Sequence, residues 1–180
     1  MPQISITQLF EKNREKLGLT WKSGTEDGDK KFIHETASQT NQGLIGHLNF
    51  IHPNWIQVLS KDEADHLNQL DQESLKANIQ RLSESGMSCI IAAGGVPIPD
   101  SLSALAVSTQ TPILCSERSS LEIMWRLRPY LWRVLAPTDS MHGVLLDVLG
   151  MGVMITGESG VGKSELALEL VSRGHGLVAD

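Results

Sequence analysis

Apolar positions along the chain recur with two rhythms. Leu9, Phe10 and Leu17, with Asn13 among them, fall at the spacing of one helix face, with Thr7 as the expected N-cap and Gly18 as the stop. Residues 20–31 are polar and glycine-bearing and read as loop. Between 43 and 60, apolar residues flank Pro53-Asn54, a turn signal between two short strands. Leu75, Ile79 and Leu82 predict a helix that ends at Gly86. "CIIAA" at 89–93 reads as a buried strand. The cycle then repeats: a helix over 100–110 with Asp100 as its N-cap, a strand "PILC" at 112–115, and a helix over 119–135 in which Pro129 predicts a kink or break. Asp62 also reads as a helix cap. Alternating strands and helices predict parallel pairing with right-handed crossovers. Residues 1–133 are therefore expected to form a small N-terminal α/β domain with a largely parallel sheet.

"APTDS" at 136–140 marks a boundary, and residues 134–180 read as the start of a second domain. "HGVLLDVLG" and "GVMITG" are two apolar strands separated by Gly150-Met151-Gly152, a spacing that fits a tight hairpin. The second strand runs directly into a glycine-rich loop. A helix over 164–176 follows, and "LVAD" begins another strand.

The apolar fraction of 41% supplies a core of ordinary size for 180 residues. The net charge of −6 argues against nucleic acid and anionic lipid as partners. "RLRPYLWR" at 126–133 is the densest cationic stretch and reads as the polar side of an amphipathic helix. No apolar run approaches the ~18–20 residues that a membrane span needs, and the N-terminus lacks the apolar segment of a signal peptide. Cys89 and Cys115 each lie in an apolar run and read as buried thiols in a reducing compartment. The expected location is the cytoplasm.

The chemistry lies in "GESGVGKSE", from Gly157 to Glu165, which meets the phosphate-loop pattern G-x-x-x-x-G-K-S. Its glycines allow the backbone to approach an anion with φ > 0. Gly157, Glu158, Ser159, Gly160, Val161 and Gly162 can line up amides around a phosphate, and the helix that follows adds its positive end. Lys163 neutralises the β/γ oxygens and Ser164 can place its hydroxyl on Mg²⁺. His142 stands at the start of the preceding strand and His175 at a helix C-terminal turn, while Asp147 lies mid-strand among apolar residues.

Residues 141–180, "MHGVLLDVLGMGVMITGESGVGKSELALELVSRGHGLVAD", resemble the signature region of the bacterial HPr kinase/phosphorylase family. In that family a His-Gly-Val strand precedes a G-[ED]-S-G-x-G-K-S-E loop. The first 130 residues are similar in length and pattern, including "GGVPIPDSL". The resemblance implies an enzyme that phosphorylates a seryl residue of the phosphocarrier protein HPr, with ATP or pyrophosphate as donor and Mg²⁺ as metal. It also implies the reverse step, in which inorganic phosphate removes the group and pyrophosphate is released. A homohexamer is implied, with a kinase domain of the P-loop type resembling phosphoenolpyruvate carboxykinase. His142 matches the family's active-site histidine. The family's next strand carries two acidic residues, the second being the acid/base, and this chain ends on the first, Asp180. On that basis the sequence reads as part of a protein nearly twice as long, inactive alone, with unpaired strand edges in its last segment.

Two other readings are compatible with the loop alone. One is a P-loop enzyme of another class, such as a small-molecule kinase or a carboxykinase-like protein. The other is a regulatory or assembly module with a vestigial loop, against which the intact Lys163 and Ser164 speak.

Overall fold

The computed structural model describes residues 3–34, 42–138 and 141–179. The chain divides into two compact units, Met1–Pro137 and Thr138–Asp180.

The first unit opens with β1 (Gln3–Ser5) and α1 (Ile6–Leu17), followed by β2 (Thr20–Ser23), β3 (Phe32–His34), β4 (Ile45–His47) and β5 (Ile56–Leu59). Then come α2 (Lys61–Gln69), α3 (Gln72–Glu84), β6 (Cys89–Ala93), α4 (Asp100–Ser108), β7 (Ile113–Ser116) and α5 (Ser120–Leu135). The sheet order is β2-β7-β6-β5-β4; β4 to β7 are parallel and β2 is antiparallel to β7. The mixed α/β architecture with a mostly parallel sheet therefore matches the alternating pattern. β1 and β3 form a separate antiparallel ribbon.

Strand β6 explains why an unbroken apolar run suits the sheet centre. Cys89, Ile91 and Ala93 join the core that α1 and α5 cover with Leu9, Leu17, Leu127 and Leu131. Ile90 and Ala92 join the opposite core, where Leu67, Leu82, Leu102 and Leu105 of α2, α3 and α4 pack. A strand buried on both faces has no polar alternation.

Several local expectations are corrected. The N-cap of α1 is Ser5, not Thr7: Ser5 Oγ accepts from the Gln8 amide and Gln8 Oε1 accepts from the Ser5 amide, a reciprocal box that Thr7 cannot make from inside the first turn. Gly18 closes the helix in the left-handed conformation. Residues 20–31 are not all loop, because Thr20–Ser23 is the edge strand β2 and Thr25–Asp27 forms a 3₁₀ turn. Asp62 and Asp100 lie within first turns, and the caps are Ser60 and Pro99. Helix α5 runs through Pro129 without a break, at an exposed position where water can serve the carbonyl that proline leaves unpaired. Cys89 is fully buried, but Cys115 is only partly so.

The second unit is built from β8 (Gly143–Val148), β9 (Met151–Thr156), α6 (Lys163–Ser172) and β10 (Gly176–Ala179). β8 is the central strand, antiparallel to β9 on one side and to β10 on the other. β9 and β10 therefore point the same way, joined through α6. The hairpin turn is Leu149-Gly150, with φ of 55° and 82°, and Met151 and Gly152 belong to β9. Left-handed dihedrals at both turn residues match the twist of a two-residue hairpin, and Asp147 Oδ1 accepts the Gly150 amide at 2.8 Å. Leu177 registers with Leu146 and Ala179 with Leu145, which leaves β10 and β9 as the outer strands of this sheet among the described residues. A small core of Val144, Leu146 and Ala167, with Ile155 and Leu170 against it, fixes α6 to the sheet. Among the described residues no helix is long and apolar enough to cross a membrane.

Candidate phosphate-binding site

The site grows from the end of β9. Val153 and Ile155 alternate with more exposed neighbours along this edge strand, which stops at Thr156. Residues 157–162 then turn the chain into α6. Gly160 and Gly162 take φ of 83° and 91°, where a side chain would be strained. Gly162 is also the N-cap of α6, and no side chain caps that end. The amides of the first helical turn have no acceptor within the helix, so the positive end of α6 faces the loop.

Lys163 is the first residue of α6. Its Nζ turns back to donate to the carbonyl oxygens of Gly157, at 2.9 Å, and Glu158, at 2.6 Å. Among the described residues it has no carboxylate partner. A cation held only by two neutral carbonyls is weakly neutralised, so an anion in the loop would compete well for it. Ser164, exposed, is the next residue, and it borders an apolar cavity of about 320 Å³ lined by Val144, Ala167, Leu168, Val171 and Leu177. Glu158, Ser159 and Val161 are exposed along the loop.

The β8–β9 register brings His142 to the same edge. Gly143 pairs with Thr156, so His142 lies one step before that pair and Gly157 one step after it. His142 is exposed and makes no hydrogen bond among the described residues. Gly143 itself is dictated by a contact invisible in the local sequence. A Cβ there would stand 2.4 Å from the Ile155 carbonyl oxygen. The described part of β10 runs toward this end of the sheet and stops at Ala179, in register with Leu145; Asp180 lies outside the described residues.

Other residues weighed as candidates lie elsewhere. Asp147 belongs to the hairpin turn at the opposite end of β8. The His175 amide donates to the Leu170 carbonyl and closes the turn after α6. Burial pushes the Cys89 and Cys115 thiols up, away from thiolate chemistry. Among the described residues no three His, Cys, Asp or Glu side chains gather as a metal site. Ser164, on the first turn of α6, is the hydroxyl here that a cation could use.

Comparison with known proteins adds the frame. Residues 4–131 match the family model described as HPr Serine kinase N terminus, and residues 133–180 match HPr Serine kinase C-terminal domain. Proteins named HPr kinase/phosphorylase are similar along the whole chain: 56% identical in Nitrosomonas europaea, 46% in Chromobacterium violaceum and 45% in Neisseria meningitidis, each over 180 residues. The chain spans 56% of the length of each of these relatives. Both units are thus matched in order, and the chain belongs to the HPr serine kinase family.

Proposed function

We propose that this chain carries the phosphate-donor site of a kinase and phosphorylase acting on HPr. In this reading the whole protein transfers a phosphoryl group from ATP or pyrophosphate to a seryl hydroxyl of HPr. Inorganic phosphate reverses the step and pyrophosphate leaves. The observation that carries the reading is the junction of β9 with α6, where left-handed glycines, an uncapped helix start and the displaceable Lys163 ammonium meet. The names of the relatives supply the acceptor.

Within the site each residue has a separate task. Gly157, Glu158, Ser159, Gly160, Val161 and Gly162 offer backbone amides to the donor phosphates. Lys163 leaves its two carbonyls and sets its charge against the β/γ oxygens. Ser164 offers one hydroxyl ligand to Mg²⁺. The metal, when bound, neutralises charge on the transferred group. His142, with no partner among the described residues, can hydrogen-bond a phosphate oxygen or hold a proton at the loop edge. We further assign the second unit to the P-loop kinase type that resembles phosphoenolpyruvate carboxykinase, and the working protein to a cytoplasmic homohexamer.

The test uses a protein of the relatives' full length, radiolabelled ATP and purified HPr. Label should appear on a serine of HPr, and a Lys163→Ala protein should transfer at least 10²-fold more slowly. Label on a small molecule instead, or undiminished transfer by the variant, would refute the assignment.

A further inference from the structure

Helix α5 has a second apolar face that the core does not use. Ile123, Leu127, Leu131 and Leu135 are buried. Beside them, Leu121, Trp125, Arg128 and Trp132 recur at i, i+4, i+7 and i+11, the spacing of a helix-pairing seam. Leu121, Trp125 and Trp132 are 70%, 82% and 62% exposed. Single exposed apolar residues are ordinary, but a run of two tryptophans and a leucine on one helix face is not. With Met124 and Pro129 these side chains line an open groove of about 940 Å³.

The charge around this face is mostly positive, with Glu122 the carboxylate beside it. The groove and the adjoining cleft against α1 are lined by Lys16, Arg126, Arg128 and Arg133 and, among the described residues, by no carboxylate. That is four cations together on a chain of net charge −6. Arg126 is balanced by Glu122 at 3.2 Å, and Arg128 donates to the Ile45 carbonyl at 3.2 Å. Lys16 and Arg133 have no carboxylate partner among the described residues. Tryptophan and arginine together are what interface hot spots are made of. A second copy of the chain fits less well, because a two-fold contact would set this same net-positive face against itself. Leu121 to Trp132 covers about 16 Å of helix axis, or three turns, longer than a compact small molecule needs.

We propose that this face docks an amphipathic helix of a partner protein, about three turns long. Its apolar stripe seats on Leu121, Trp125 and Trp132, and its acidic flank meets Arg126, Arg128 and Arg133. This inference is independent of the nucleotide-loop reading, since every residue in it belongs to the first unit.

The probe is a fluorescein-labelled 16-residue helix with Leu at its a and d positions and Glu at e and g, titrated with the 180-residue chain. Mutual repulsion of its glutamates keeps such a peptide from pairing with itself. Anisotropy should report binding that weakens as salt rises. Trp125→Ala and Trp132→Ala should each weaken it by roughly 30-fold or more, with the thermal midpoint unchanged because both side chains are exposed. A peptide with Lys in place of every Glu should bind at least about 10-fold more weakly. Equal binding of the two peptides, or none up to about 1 mM, would overturn the proposal. So would a single-stranded oligonucleotide that binds as tightly as the acidic peptide. A wild-type dimer in sedimentation that Trp125→Ala converts to monomer would assign the face to a second copy instead.

Discussion

The ammonium of Lys163 lies 2.9 Å from the carbonyl oxygen of Gly157, six residues back along the same loop. The ammonium thus rests on the carbonyls of its own loop. Lys163→Ala should remove the charge without cost to the fold, because both of its hydrogen bonds are exposed. Calorimetric titration of pyrophosphate into the chain should show affinity down by at least about 10-fold, a loss of one charge-assisted contact of ~1.5–3 kcal/mol. The thermal midpoint should stay within a few degrees. Unchanged affinity would remove Lys163 from the site.

Gly143 carries a second prediction. A Cβ would meet the Ile155 carbonyl at 2.4 Å, a backbone atom that cannot swing aside. Gly143→Ala should therefore destabilise the second unit by roughly 1–3 kcal/mol, the usual cost of overpacking. Denaturant unfolding measures this. Gly150→Ala provides no matching control, because its own strain comes from φ and not from a neighbour.

Ser164→Ala separates metal from phosphate. The hydroxyl is exposed at the second position of α6 and is assigned to Mg²⁺ rather than to an oxygen of the donor. The variant should lose affinity for nucleotide much more in the presence of Mg²⁺ than in its absence. Equal losses in both titrations would mean that the metal is held elsewhere.

Asp71 gives the fold a pH signature. It caps α3 by accepting from the Ser74 and Glu73 amides and the Ser74 hydroxyl. The hydrogen bonds from Ser74 hold its carboxyl below the ordinary value of 3.8. A folded-state value below the unfolded one contributes stability above the unfolded value and loses it as pH falls through the folded one. The stability gap between wild type and Asp71→Ala should therefore be full at neutral pH and shrink below about pH 4. A gap constant down to pH 2 would contradict this capping role.

The elements readable from sequence were those whose signal is local. "CIIAA" is legible because both faces of β6 are buried, and the 157–164 loop because its chemistry is contiguous. Helix α2 left little trace, since only Ala64 and Leu67 of its nine residues are buried and no stripe can form. Strand β2 is an edge with alternating exposed and half-buried positions in a polar segment, which reads as loop. Caps were misplaced where several polar residues compete, as with Ser5 and Thr7, and only the reciprocal bonds to Gln8 decide between them. In the site, the role of Gly143 was hidden because its reason is Ile155, twelve residues away across the hairpin.

The central claim is that residues 157–164 hold donor phosphate at an edge shared with His142. Amide shifts of ¹⁵N-labelled chain during titration with Mg²⁺-pyrophosphate test it most directly. The account predicts the largest saturable shifts at Gly160, Gly162, Lys163 and Ser164, a smaller one at His142, and none of these in Lys163→Ala at the same concentrations. Shifts spread evenly over both units, or reproduced by sodium chloride at equal ionic strength, would contradict it.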